Sequence, residues 1–270
     1  MKKVLVYAAV AVVVAAVGLY FTIDLLTQGA PDCSRSTQLR AAIVDHLSDS
    51  QGNQTFVDRS TALLEGAGFA VDYYDSGSVT VDFYRNLPTH CYSLILLRVH
   101  SASFNPDEPV FDLFTSESYS RSKYVSEQLS DQLRRCAFDT TDNPYVEGVS
   151  PEYFGVTHKF VRLSMRGMFH DTVVLMMGCD GMRYEEMAEA FVEKGARVYI
   201  GWDRLVSGSH TDKATVDLLT RFLHAGQTVG EAIDCTMEDF GPDPTYQSVL
   251  SHYPADAGNC TFNDIAGDLS

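Results

Sequence analysis

The sequence predicts an α/β domain, a three-layer sandwich around a mainly parallel sheet, preceded by one N-terminal transmembrane helix. The domain is predicted because short runs that are apolar throughout alternate with stretches whose apolar residues recur at helical spacing. The transmembrane helix is predicted because a charge-free apolar run extends from Val4 to Ile23. At about 1.5 Å of rise per residue, this run spans roughly the 30 Å hydrocarbon layer of a bilayer.

The flanks of the apolar run predict the topology of the chain. Two lysines precede the run and no lysine follows it closely, which places the N-terminus in the cytoplasm and the remainder outside. We expect a signal-anchor at residues 1–25, a linker at 26–40 and the α/β domain at 41–270, in a single-pass protein of the cell membrane. A cleaved secretory signal is the alternative, although the run exceeds the usual apolar core of about 7–15 residues.

Charge and cysteine content restrict the partners and cofactors. With 36 acidic and 20 basic residues the formal net charge is −16, so a nucleic-acid partner is excluded and the membrane is the partner that the anchor implies. Six cysteines in an exported domain suggest disulfides; Cys33 and Cys260 could pair, but the connectivity stays open. No CxxC pair or His/Cys cluster has metal-ligand spacing, so we expect no metal ion and no other cofactor.

The first part of the domain predicts strands and a helix in alternation. Ala41–Val44 and Ala70–Tyr74 are predicted strands, and the helix between them covers about residues 54–65. Asn53 can cap the first turn of that helix. Leu94–Val99 is a third strand, and its Leu-Ile-Leu-Leu run is typical of a strand that is buried on both faces.

An insertion is predicted at about residues 101–169, where the regular alternation stops. It contains a predicted helix near Lys123 to Arg135 and a loop rich in Pro and Gly near residues 143–151. Insertions of this size usually decorate one edge of a domain, and often the functional edge.

After the insertion the alternation resumes with Val173–Met177, a fourth strand that is apolar throughout. Four further elements follow from the apolar periodicity, in order a helix from about Tyr184 to Gly195, a strand at Arg197–Ile200, a helix at Thr211–His224 and a helix at Val229–Met237. Ser209 and Asp212 have the spacing of a capping box at the start of the longer helix.

Two residues with nucleophile and base chemistry follow neighbouring predicted strands. His100 follows the third strand and Cys179 follows the fourth, and ligands of open α/β sheets bind outside these carboxyl ends. A nearby imidazole and a helix that begins at the cysteine would both favour the thiolate, the form that a nucleophile needs. Gly178 and Gly181 let the chain turn sharply there and let a substrate approach the sulfur.

These motifs resemble the caspase-hemoglobinase fold (clan CD-like), which includes caspases, legumains and gingipains. The features that carry the resemblance are an apolar strand ending in His100, an apolar strand ending in Gly-Cys179, and the phrase FVEKGARVYIGW from Phe191 to Trp202. A helix ending at Gly226 and followed by Thr228–Ile233 extends it.

The resemblance implies a membrane-anchored, extracytoplasmic cysteine peptidase that acts on a peptide or protein substrate. Cys179 would attack the scissile carbonyl and His100 would protonate the leaving amine, while the backbone amides of Ser101 and Cys179 would form the oxyanion hole. Trp202 would line the substrate pocket, where the carboxylates of Asp180 and Asp203 would favour a basic side chain.

The sequence departs from the family at its two motifs. His-Ser replaces the common His-Gly, and Met-Gly-Cys replaces Gln-Ala-Cys. The histidine and the cysteine are 79 residues apart, against about 50 in caspases, a difference that the insertion explains.

Two other functions are compatible with the sequence. The domain could be a catalytically inactive caspase-like scaffold that serves as a surface binding or assembly module. Alternatively, His210 or His224 could act as the base of a cysteine hydrolase of the α/β-hydrolase type, whose G-x-nucleophile-x-G elbow is matched here only by Gly181.

Overall fold

The computed structural model describes Cys33 and residues 38–102, 110–138 and 145–266. The predicted signal-anchor at 1–25 and nearly all of the linker lie outside these residues. Within the described ranges, none of the helices has the length and apolar character needed to cross a membrane.

The described residues form ten strands in two sheets. These are β1 (Arg40–Asp45), β2 (Ala70–Tyr74), β3 (Leu94–Arg98), β4 (Ser101–Ala102), β5 (Asp112–Ser118), β6 (Leu133–Ala137), β7 (Glu152–Val156), β8 (Thr172–Met176), β9 (Ala196–Trp202) and β10 (Leu250–Tyr253). The larger sheet has the order β10-β9-β8-β3-β1-β2. Its strands are parallel except for β10, which is antiparallel to β9. The prediction of a mainly parallel α/β sheet is therefore confirmed.

Eight α-helices lie in the same part of the chain. They are α1 (Gln54–Gly66), α2 (Val81–Asn86), α3 (Val125–Leu129), α4 (His158–Leu163), α5 (Glu186–Glu193), α6 (Gly208–His224), α7 (Val229–Phe240) and α8 (Phe262–Ala266). Three short 3-10 segments, Ser76–Ser78, Leu87–His90 and Ala255–Asn259, connect them to the strands.

Two apolar cores lie on opposite faces of the larger sheet. Because successive strand residues point to opposite faces, Ala41 and Ile43 of β1 belong to the core that α1, α6 and α7 cover. Ala42 and Val44 belong to the second core, which α2, α4, α5 and the smaller sheet cover. Each fully buried aliphatic side chain contributes about 1.5–3 kcal/mol, so this double burial explains why the strands are apolar throughout.

The predicted insertion contains a small antiparallel sheet with the strand order β4-β5-β7-β6. The helix predicted near Lys123 to Arg135 is wrong over most of its length, because α3 ends at Leu129 and Leu133–Ala137 is a strand. β6 pairs along its whole length with β7. A strand partner twenty residues away in the chain decides this conformation, and local periodicity does not contain that information.

Most other predicted elements are present with shifted ends, and three details differ. The strand β10 and the 3-10 segment that follows it had no counterpart in the prediction. The capping box of Ser209 and Asp212 does not form, since α6 begins at Gly208 without a side-chain cap and Asp212 binds Arg98 instead. A capping box is found at the start of α7, formed by Thr228 and Glu231.

The disulfide is not the one suggested by the positions of the cysteines. Cys33 pairs with Cys91, which precedes β3, and their Cα atoms are 5.2 Å apart. Cys260 is a free, buried thiol that contacts the guanidinium of Arg197, so a pairing of Cys33 with Cys260 is wrong. Cys179 is also free.

A buried ionic network joins four elements at the carboxyl ends of the central strands. Arg98, the last residue of β3, donates to Asp45 at 2.7 Å and to Asp212 at 2.8 Å. It also donates to the backbone carbonyl of Gln51 at 2.7 Å, and Asn53 donates to the second oxygen of Asp212 at 2.8 Å. The network thus connects β1, β3, the N-cap of α1 and the N-terminal part of α6.

We predict that Arg98→Met destabilises the domain by about 3–5 kcal/mol, because the substitution leaves two buried carboxylates without their cation. Urea unfolding followed by circular dichroism measures the difference. Arg59→Met, on the exposed side of α1, is the matched control and should stay within about 0.5 kcal/mol of the parent. A loss below about 1 kcal/mol for Arg98→Met would show that the network does not hold these elements together.

Candidate active site

His100 and Cys179 line one pocket at the carboxyl ends of β3 and β8. The pocket has a volume of about 380 Å³. Its other lining residues come from the turns after β1 and β8, from the start of α6 and from the loop before β10, and are Leu47, Gln51, Val99, Met177, Gly178, Val206, Ser207, Gly208, Thr211 and Tyr246. The structure therefore brings together the two residues that the sequence analysis selected as nucleophile and base.

Gly178 allows the ends of the two strands to lie this close. A Cβ atom at this position would lie 2.2 Å from the carbonyl oxygen of Val99, which no side chain can tolerate. It would also lie 2.9 Å from the hydroxyl of Ser101. The glycine before the cysteine is thus required by the contact between the loop after β8 and the chain that carries His100.

Cys179 is a half-buried thiol. The backbone N–H of Val206 points at its sulfur, with a nitrogen-sulfur distance of 3.4 Å. Burial raises the pKa of Cys179, and the carboxylates of Asp180 and Asp243 act in the same direction against the hydrogen bond from Val206. The expectation that a following helix favours the thiolate is wrong, because α5 begins only at Glu186.

The imidazole of His100 lies among aromatic rings. Its centroid is 4.6 Å from that of Phe138, 6.2 Å from that of Phe114 and 5.6 Å from that of His46. Burial lowers the pKa of His100 to about 4, and the proximity of His46 and of the Arg98 guanidinium adds to this effect. The histidine is therefore neutral at neutral pH.

Both groups are neutral in the resting protein. No hydrogen bond joins the His100 imidazole to the Cys179 sulfur in the described residues. A thiol with a raised pKa and an imidazole with a lowered pKa do not form an ion pair in the resting protein. Proton transfer between them would have to accompany the chemistry.

Ser101 is buried and does not line the pocket. Its hydroxyl donates a hydrogen bond to the carbonyl oxygen of Cys179. The bond fixes the backbone after β3 against the backbone after β8, so that the two residues predicted to supply oxyanion-hole amides are neighbours.

Trp202 lies in the core and not on the pocket wall. The residue is 1% exposed, and its indole N–H donates to the hydroxyl of Thr211 at 2.9 Å. Thr211 in turn donates to the carbonyl of Met177 at 2.9 Å. The expectation that Trp202 contacts substrate is wrong for this conformation, because this chain of hydrogen bonds holds the indole between β9 and α6.

A second pocket adjoins the first. Its volume is about 590 Å³, and it is lined by Met182, Arg183, Asp203, Arg204, Leu205 and Tyr246. Tyr246 lines both pockets.

The charges of the second pocket differ from those expected. Asp180 is 3% exposed and pairs with Arg183 at 3.4 Å, so its carboxylate is not available to a ligand. Asp203 does line the pocket, but two guanidinium groups, of Arg183 and Arg204, line it as well. This arrangement of charges therefore does not favour a basic side chain on a substrate.

Asp243 organises the pocket wall, and the sequence analysis did not select it. Its buried carboxylate accepts backbone hydrogen bonds from Ser207, Thr245 and Tyr246, each at 2.8 Å. Burial alone would raise the pKa of Asp243, but these donors, with Ser207 first, hold it below its usual value. The Asp-Pro-Thr sequence is a turn signal that could have identified this residue.

The alternative bases lie elsewhere. His210 packs on Trp202, with ring centroids 5.4 Å apart, and does not line the Cys179 pocket. His224, at the far end of α6, contacts the backbone carbonyl of Leu63. The α/β-hydrolase arrangement is therefore not observed. Over the ranges that the structure covers, no three His, Cys, Asp or Glu side chains are grouped to hold a metal ion.

No protein-family model matches the sequence, and no curated protein matches it. The solved structures that it is similar to include the crystal structure of the Drosophila initiator caspase Dronc, with 13% identity over 85% of this chain and 83% of that chain. The TM-score is 0.42, so this likeness carries no argument about the site.

We predict that iodoacetamide alkylates Cys179 slowly at neutral pH and that the rate still rises above pH 9. Only the thiolate reacts, and a raised pKa lowers the thiolate fraction about tenfold for each unit. Mass spectrometry of the labelled peptide gives the rate, and the same cysteine in urea-unfolded protein is the reference. Fast labelling that levels off below pH 7 would instead indicate a preformed thiolate-imidazolium pair.

Proposed function

We propose that the protein is a cysteine peptidase in which Cys179 is the nucleophile and His100 the general base and acid. The observation that carries the proposal is the pocket of about 380 Å³ that both side chains line, at the strand ends where α/β sheets bind ligands. The caspase-like sequence motifs identified His100 and Cys179 independently of the pocket.

The neutral state of both groups is compatible with this chemistry. When a peptide carbonyl enters the pocket, His100 removes the thiol proton as the sulfur attacks, and a tetrahedral oxyanion forms. The protonated imidazole then gives that proton to the leaving amine, and the C–N bond breaks to leave a thioester. Water, activated by the neutral imidazole, hydrolyses the thioester and restores the thiol.

The backbone around the sulfur supports oxyanion stabilisation. The hydrogen bond from Ser101 to the Cys179 carbonyl keeps the two backbone segments side by side. Amides held in this way need no reorganisation during the reaction, and one such donor is typically worth about 3 kcal/mol of transition-state stabilisation.

We infer that the peptidase is anchored in the cell membrane with its domain outside the cytoplasm. The apolar run of residues 4–23 supports the anchor. The disulfide between Cys33 and Cys91 supports an oxidising compartment, since such bonds are rare in the cytosol.

The substrate is a peptide or protein with an acidic side chain beside the scissile bond. Arg183 and Arg204 outnumber the single carboxylate, Asp203, in the second pocket, which shares Tyr246 with the proposed catalytic pocket. Arg183 pairs with Asp180 at 3.4 Å and Arg204 with Asp203 at 3.7 Å, but both guanidinium groups are exposed and keep further donors for a substrate carboxylate.

A catalytically inactive binding scaffold is the second candidate. The observation that favours it is the resting state of Cys179, whose sulfur interacts with the backbone of Val206 and not with His100. On this alternative the same two pockets would bind a peptide without cleaving it.

We predict that Cys179→Ala and His100→Ala each reduce peptide hydrolysis by at least about 1,000-fold, because each removes a group that takes part in bond making. The assay measures cleavage of an acidic-peptide library by full-length protein in detergent. Cys235→Ala, a free thiol outside the pocket, and His170→Ala, an exposed histidine, are the controls and should retain activity. No cleavage by the parent protein, with peptide binding retained, would select the scaffold function.

We predict that Arg183→Gln and Arg204→Gln each lower kcat/KM for a peptide with Asp before the scissile bond by about 5–10-fold. The loss reflects one charge-assisted hydrogen bond to a partly solvated carboxylate. The matched peptide with Asn at that position should respond weakly to both substitutions, and Arg59→Gln should affect neither peptide. A parent enzyme that prefers Lys to Asp would refute the assignment of the second pocket.

A further inference from the structure

His46 is a buried titratable residue beside the candidate dyad to which the mechanism gives no role. It follows β1, the strand that pairs with β3, so the strand order brings it next to the chain that carries His100. The residue is 7% exposed. Its ring meets that of His100 edge to face, with centroids 5.6 Å apart and planes at 86°.

The ring of His46 interacts with the backbone of two neighbouring segments. Nδ1 accepts the backbone N–H of His100 at 3.5 Å, so Nδ1 carries no proton and the neutral ring is protonated at Nε2. The ring also hydrogen-bonds to the backbone of Thr115 on β5. His46 therefore bridges the chain after β3 and the small sheet, on the side of His100 that faces away from the loop of Cys179.

The charges around the pair oppose a proton on either ring. On the side of β3, the guanidinium of Arg98 disfavours a cation at His100. Asp49, in the turn after β1, attracts a proton to His46, but burial outweighs it. Phe114 and Phe138 pack on His100 without contributing a charge. Burial keeps both rings neutral, and because the rings are this close, a positive charge on one opposes a positive charge on the other.

We propose that His46 is a positioning residue for His100: it holds the backbone of His100 at the pocket edge, and its adjacent imidazole opposes a second positive charge there. The proposal rests on the proposed function for its catalytic meaning. The protonation of His100 can be measured without an assay of peptide hydrolysis.

The test is the pH titration of each histidine in full-length protein, read from deuterium exchange at imidazole Cε1 by mass spectrometry. Trypsin cleaves after Arg59 and Arg98, so His46 and His100 fall in different peptides. In His46→Phe, which keeps an aromatic ring and removes the second titrating group, the His100 midpoint should move to higher pH by at least about half a unit. The acid limb of kcat/KM should move with it.

His46→Asn is the second variant, because an amide oxygen can still accept the His100 N–H if the Phe variant folds poorly. It should also move the His100 midpoint upward, while a matched His170→Phe should leave it unchanged. An unchanged midpoint in folded His46→Phe or His46→Asn overturns the proposal and makes His46 a packing residue. If the parent protein shows no hydrolysis, the proposed function fails, yet the exchange titration still decides the role of His46.

Discussion

Arg98 brings a full positive charge into the interior of the domain, where its side chain is 2% exposed. Such a charge is tolerated only when it is paired and hydrogen-bonded, and here two carboxylates and a backbone carbonyl provide the partners. Asp45 ends β1 and Asp212 lies near the start of α6, so the requirement for pairing fixes these elements against β3. Gln51, whose carbonyl completes the set, also lines the pocket of His100 and Cys179.

The same charge influences the chemistry of the site. His100 follows Arg98 by two residues, and the guanidinium adds to burial in disfavouring an imidazolium. Cys179 is half-buried near two carboxylates, which disfavour its thiolate. The environment thus lowers the basicity of one group and the acidity of the other, and the resting site holds a neutral pair. On the proposed function, a substrate carbonyl beside the sulfur would couple removal of the thiol proton to sulfur attack, so no ion pair has to form beforehand.

The fold was predictable where burial determines the pattern. β3 and β8 are apolar throughout because helices cover both faces of the sheet, and α1 was marked at its start by Asn53, which does cap it. The prediction failed where a strand partner that is distant in the sequence determines the local conformation. β6 exists because β7 pairs with it, and β10 because β9 does, although neither segment has a strong period of its own. Asp212 had the spacing of a cap but binds Arg98. An unpaired buried cation costs more free energy than an exposed helix end without a side-chain cap.

The candidate site shows the same division. His100 and Cys179 could be selected because each follows an apolar strand, and parallel strands end at one edge of the sheet. His46 could not be selected, because it meets His100 only where β1 lies beside β3. No local sequence pattern predicts the order of the strands. Trp202 was selected as a pocket residue because it ends the caspase-like phrase. In the structure it lies in the core, where its indole donates to Thr211. A sequence motif therefore identifies which residues reach the edge of the sheet, whereas the order of the strands decides which of them meet and which charges they experience there.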